Sequence, residues 1–108
     1  MFDMEKRSYE RIEAVKLVRI FCRNKIYPGT TLNLSEQGIF IDIKRWFSTN
    51  IMCAIDIHIE DEFIKLLARV KHLSKINGSC YGVGVEIINP PKTYLEHLKN
   101  LKKNLIHY

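Results

Sequence analysis

The strongest constraint on this chain is an alternation of apolar and polar residues with a period of two. Ile51, Cys53, Ile55, Ile57 and Ile59 fall on one side of an extended segment, with Met52, Ala54, Asp56 and His58 on the other. Successive side chains of a strand point to opposite faces, so this pattern buries one face and turns the other to solvent. Ile39, Ile41 and Ile43 repeat it against Phe40, Asp42 and Lys44. Tyr81, Val83, Val85 and Ile87 repeat it against Gly82, Gly84 and Glu86.

Three further segments read as strands: Glu13 to Arg23, Thr30 to Leu34, and Phe63 to about Leu73. Tyr27-Pro28-Gly29 and Glu60-Asp61-Glu62 read as turns, and Lys44 to Asn50 as a loop. Asn77-Gly78 is a strong hairpin signal, suited to central residues with positive φ. After Pro90-Pro91, the spacing of Tyr94, Leu98, Leu101 and Leu105 predicts an amphipathic helix from about Lys92 to Leu105. The expectation is a mainly β fold: about six short strands closing into a barrel, then a C-terminal α-helix. That helix needs an apolar surface to cover, either a barrel mouth or a partner.

A length of 108 residues fits one domain and can bury a core. Residues 1–12 read as a flexible polar arm and 13–108 as a single barrel domain with its helix. No apolar run reaches the roughly 18 residues of a membrane span. The opening residues Met1 to Arg7 carry acids where a secretory leader has bases, so a cytosolic protein is expected. Cys22, Cys53 and Cys80 show no paired spacing and read as small hydrophobes of a reduced protein. No metal-ligand spacing occurs among the histidines, and no catalytic constellation stands out, so no metal, no cofactor and no enzyme are expected. A net charge of +5 favours an anionic partner.

Two polar motifs remain. Arg7 and Arg11 stand four apart in Arg7-Ser8-Tyr9-Glu10-Arg11. Each guanidinium is a planar fork that grips phosphate oxygens or the O6 and N7 edge of guanine, and can stack on a purine. Extended, the pair spans at most about 13 Å; on a helical turn, about 6 Å. Either suits a compact dinucleotide. Alone, this spacing also fits two solvated arginines paired with Glu10 or Glu13. Asn33 and Ser35 stand two apart before Gly38 in Asn33-Leu34-Ser35-Glu36-Gln37-Gly38. On a strand they would share a face and offer an amide and a hydroxyl to a base edge. Alone, the same residues also fit ordinary turn capping before a glycine.

The two motifs together, in this order and strand context, resemble the paired signature of the PilZ domain, a bacterial receptor module for cyclic di-GMP. Arg7 and Arg11 match its Arg-x-x-x-Arg, and Asn33, Ser35 and Gly38 its Asp/Asn-x-Ser-x-x-Gly. Tyr81 to Ile87, Pro90-Pro91 and the following helix are similar too. The resemblance implies a six-stranded antiparallel β-barrel with a C-terminal helix. It implies cyclic di-GMP as ligand, held by Arg7, Arg11, Asn33, Ser35 and Gly38, and a downstream protein partner rather than nucleic acid. Lys6 precedes the first arginine, where the family sets one bound ligand or a stacked pair; both outcomes stay open. A PilZ-fold adaptor that binds no nucleotide is the other reading, and a small barrel for single-stranded nucleic acid a third.

Overall fold

The computed structural model describes residues 10–44 and 47–106. Arg7, Lys6, most of the expected arm, and Trp46 lie outside them. Six strands and one helix follow in order: β1 (Leu17–Cys22), β2 (Lys25–Leu34), β3 (Gly38–Ile43), β4 (Met52–Ile59), β5 (Glu62–Asn77), β6 (Cys80–Ile88) and α1 (Lys92–Ile106). The strands form a closed antiparallel barrel in the order β1-β2-β3-β6-β5-β4, with β1 returning to β4. The expected barrel-plus-helix is therefore the observed fold.

The alternating residues line the interior. Ile39, Ile41, Ile55, Ile57, Ile59 and Val83 are all essentially inaccessible. Burying a side chain of this size contributes about 1.5–3 kcal/mol. The two ends are plugged differently. At one end α1 lays Tyr94 and Leu98 into the core, and the Tyr94 hydroxyl donates to the Ser35 carbonyl at 2.8 Å. His97 Nδ1 sits 2.9 Å from Glu60 Oε1, tying the same helix to the β4–β5 turn. The helix thus covers a barrel mouth. At the other end Phe47 is buried and meets Tyr27 edge to face, with centroids 5.1 Å apart.

The turns differ from expectation in instructive ways. The first hairpin turns at Arg23-Asn24, with φ of 52° and 65°, not at Tyr27-Pro28-Gly29. Two consecutive positive φ values match the right-handed twist of the strands that flank them. Pro28 and Gly29 instead lie inside β2, paired with Arg19 and Val18. β3 joins β2 only from Thr30 onward, so Pro28 sits on an open edge where its missing N–H is harmless. Glu60-Asp61 turns the β4–β5 hairpin with φ of 51° and 67°, and Glu62 already belongs to β5. The last hairpin turns on Gly78-Ser79, one residue later than expected, and no residue there has positive φ. β1 starts at Leu17, later than Glu13, because the preceding residues continue along β2 out of simple register. Ile12 and Leu34 exchange backbone hydrogen bonds of 2.7 and 2.9 Å. Thr31 Oγ1 accepts from Lys16 N–H and donates to the Ala14 carbonyl.

Cys22 and Cys53 are buried and Cys80 is half-buried. Burial, and then the neighbouring Cys22, push the Cys53 thiol up to about 11. A thiol reacts as its thiolate, so a raised value slows it. At pH 8 a thiol reagent such as DTNB is expected to titrate Cys80 in the native protein and Cys53 only after denaturant is added; rapid native reaction at Cys53, located by peptide mapping, would contradict this packing. Tyr94→Phe is expected to lower stability by about 1–2 kcal/mol in urea melts, because it orphans the buried Ser35 carbonyl.

Candidate ligand-binding site

Two β-bulges build the site. The β2–β3 register steps between Thr31 and Asn33: Thr31 faces Ile41 but Asn33 faces Phe40. One extra residue reverses the inward and outward sense of everything beyond it. Thr31 points inward and is buried, whereas Asn33 emerges on the outer wall beside Phe40. On β5 the register steps between Val70 and His72. Val70 is core, Lys71 is the inserted residue, and His72 then stands outward against Gly84.

Between these bulges lies an open pocket of about 650 Å³ on the outer wall of β2, β3, β6 and β5. Arg11, Asn33, Ser35 and Gly38 all line it. The Ile12–Leu34 bridge sets the entering chain beside β2, and Arg11 Nη1 donates to Asn33 Oδ1 at 2.6 Å. Residues twenty-two apart in sequence thereby meet at one rim. Of the five sequence candidates, four share this pocket, and Arg7 lies outside the described residues.

Ser35 does not share a strand face with Asn33, as their spacing had suggested. It sits past the end of β2, is buried, and its hydroxyl is turned into the connection. Ser35 Oγ accepts from Gly38 N–H at 3.1 Å and Gln37 N–H at 3.4 Å, while Ser35 N–H donates to the Gly38 carbonyl at 2.8 Å. Ser35 therefore shapes the turn, and its carbonyl anchors Tyr94 from below. Gly38 is needed for space: a Cβ there would lie 3.1 Å from the Val85 carbonyl and 3.6 Å from Arg11 Nη2.

The floor is Phe40, whose ring lies across Gly82 and beside Gly84. A Cβ at Gly82 would collide with that ring. The rim adds Lys71, His72, Gln37 and Glu86, none of them singled out in the sequence. Arg11 and Lys71 against Glu86 leave this rim cationic. Burial holds the Tyr94 phenol protonated, against the opposing pull of the nearby Arg11 guanidinium. Among the described residues no cluster of His, Cys, Asp or Glu could hold a metal ion. A cationic rim, an exposed amide, a stacking ring and a pocket within the roughly 300–1,000 Å³ range of small-molecule sites suit an anionic, planar ligand.

Residues 5–103 match the PilZ domain. The chain belongs to the PilZ domain family. Solved structures agree on the fold. The Bacillus subtilis inhibitor of motility MotI/DgrA superposes with a TM-score of 0.78 at 17% identity, over 93% of this chain and 51% of that one. This PilZ chain thus spans about half the length of MotI/DgrA. The PilZ domain of YcgR from Escherichia coli, solved with c-di-GMP, gives 0.75 at 15% identity over 93% and 94% of the two chains. The PilZ domain of CeSA from a cellulose-synthesizing bacterium gives 0.62 at 21% identity over 91% and 99%. No curated protein matches the chain. No helix among the described residues is long and apolar enough to cross a membrane.

Ser35→Ala is expected to cost about 1–2 kcal/mol in urea melts, because the buried Gly38 N–H and the partly buried Gln37 N–H lose their acceptor. Asn33→Ala, at the exposed rim, should change stability by less than about 0.5 kcal/mol. Equal losses in the two variants would show that Ser35 does not hold the turn.

Proposed function

We propose that this PilZ domain is a receptor for cyclic di-GMP and catalyses nothing. The observation that carries this reading is the convergence of Arg11, Asn33, Ser35 and Gly38 on one cationic pocket. Arg11 grips a phosphate or a guanine face; the Asn33 amide meets a guanine edge; Phe40 offers a ring for stacking. A ligand held by both must separate Arg11 from Asn33, whose present bond joins one guanidinium N–H to the amide oxygen. Arg11 then exchanges a neutral amide for an anionic phosphate, and bonds between two charged groups are the stronger kind, while Asn33 exchanges the guanidinium for a guanine edge. Arg7 stands four residues before Arg11, so a ligand held by Arg11 is within its reach. Engaging both arginines draws the residues before position 10 against the barrel wall and changes the surface offered to a downstream protein. That change is the proposed signal, in a protein that works in the cytosol.

Isothermal titration with cyclic di-GMP tests this reading directly. The parent protein is expected to bind. Arg7→Ala and Arg11→Ala should each weaken binding roughly ten- to a hundredfold, since a hydrogen bond to a charged group contributes about 1.5–3 kcal/mol, and Asn33→Ala roughly two- to tenfold, since a neutral one contributes about 0.5–1.5 kcal/mol. Titration of the parent without heat, confirmed by unchanged melting with ligand, overturns the receptor reading in favour of a nucleotide-independent adaptor.

A further inference from the structure

The wall formed by β1, β4 and β5, on the far side of the barrel from the Arg11–Asn33 rim, has its own chemistry. The register sets it out in rows. Phe21 pairs with Ala54, Ala54 with Leu67, and Leu67 with Ile88. Arg19 pairs with Asp56, and Asp56 with Lys65. His58 pairs with Phe63. The apolar members are unusually open: Phe63 is 51% exposed and Leu67 48%. A groove of about 480 Å³ runs along Ala54, Leu67, Ile88 and Pro91 with Lys65 at its edge. Large apolar side chains left open beside a groove mark interaction surfaces rather than ordinary solvated walls.

The exposed charge at the centre of this wall is positive. Asp56 is buried and already neutralised, 3.3 Å from Arg19 Nη2 and 3.1 Å from Lys65 Nζ. The two cations remain 46% and 68% exposed. Aromatic rings hold them in place: Arg19 lies 4.2 Å from the Phe63 centroid, and Lys65 4.9 Å from that of Phe21. Asp61 and Glu62 bound the wall at one end, while Glu60 is turned to His97. The centre thus presents two exposed cations between the apolar Phe21–Ala54–Leu67–Ile88 row and Phe63.

We propose that this wall docks an acidic amphipathic helix of a partner protein, its aliphatic side chains in the Leu67–Ile88 groove and its carboxylates on Arg19 and Lys65. On this wall β1, β4 and β5 are each paired with a neighbour on both sides, so the partner cannot add a strand there. A second copy in twofold contact would set Arg19 and Lys65 against themselves. Single-stranded nucleic acid would need open rings, and the Phe63 and Phe21 faces already carry cations. The inference stands whether or not cyclic di-GMP is the ligand of the other wall, although β5 contributes to both.

The test is a ¹⁵N-NMR titration of the intact protein with a helical probe peptide bearing leucines at i, i+3, i+4 and i+7, flanked by glutamates. Parallel arms use the same peptide with lysine in place of glutamate, oligothymidine, anionic phosphatidylglycerol vesicles, and sedimentation of the protein alone. The glutamate peptide is expected to move the amide resonances of Arg19, Ala54, Lys65 and Leu67 and to leave those of Asn33 to Gly38 in place. Arg19 and Lys65 both support Asp56, so the variant of choice is the exposed double Phe63→Ser, Leu67→Ser. It should weaken the peptide about tenfold or more while its melting stays cooperative. Binding only by the lysine peptide, oligothymidine, vesicles or a second copy overturns the proposal. So does binding by none of these, or a response confined to the Asn33–Gly38 pocket.

Discussion

Closure of the sheet through β1 and β4 is the constraint on which the rest depends. Val18, Arg19, Ile20 and Phe21 pair with Ile57, Asp56, Ile55 and Ala54, and this short ladder joins the first strand to the fourth and closes the ring. Once the sheet is a ring, each strand has one face inside and one outside, and the interior must be apolar or, as at Thr31, have its polar atoms bonded. The isoleucine-rich alternation meets that demand. A ring of six strands still has two open ends, and both must be stopped. Tyr94 and Leu98 stop one; Phe47 packed on Tyr27 stops the other. The helix is therefore part of the core, which explains why a buried phenol bonds to a turn fifty-nine residues away.

A ring with strict alternation would offer ligands only a regular polar wall. The two bulges break that regularity where it matters. Beyond the step at Leu32, Asn33 is turned out beside Arg11 rather than in toward the core. Beyond the step at Lys71, His72 is turned out over Gly84. Between them β3 and β6 pair without interruption from Gly38–Glu86 to Ile43–Tyr81. The floor of the pocket is thus rigid sheet, and its rim is re-aimed backbone. Glycines on β6 let Phe40 lie flat across that floor, which keeps the space above it open.

The legible parts of the sequence were those governed by period and spacing. Ile51 to Ile59 gave β4 with only its first residue misplaced, because one face is wholly buried and admits no other register. The helix was read from four apolar positions, and the role of Tyr94 and Leu98 follows from them. Turn positions were harder. Pro28-Gly29 carries a strong turn signal, yet position on an open edge let the strand run through it. Asn24, a residue that tolerates positive φ, was the available clue to the true turn, whereas Arg23 beside it was no clue at all. The bulges left no trace in composition, so Asn33 and Ser35 were expected on one face and Lys71 and His72 were passed over. Spacing identified the motif residues, but only the register shows that Asn33 faces outward while the Ser35 hydroxyl is spent on its own turn.

That division of labour bears on how a ligand could be felt at a distance. Asn33 and Ser35 are two residues apart, yet one faces solvent and the other is bonded to the helix through Tyr94. A ligand that displaces Arg11 from Asn33 loads the outer side of the β2–β3 connection. The inner side of the same connection holds Tyr94, and the next turn of the helix holds His97 against Glu60 at the foot of the β1-β4-β5 wall. The Arg11–Asn33 link is exposed, whereas Tyr94–Ser35 is buried and His97–Glu60 partly so. They supply a physical route between the two walls, though a route becomes coupling only where one of its elements has two arrangements of similar energy. The ion pair between Lys102 and Glu10 lies on the same path, tying α1 to the residue just before Arg11. Glu10 is where the entering chain meets the helix, so the position of that chain and the seating of the helix are linked by one exposed, salt-sensitive contact.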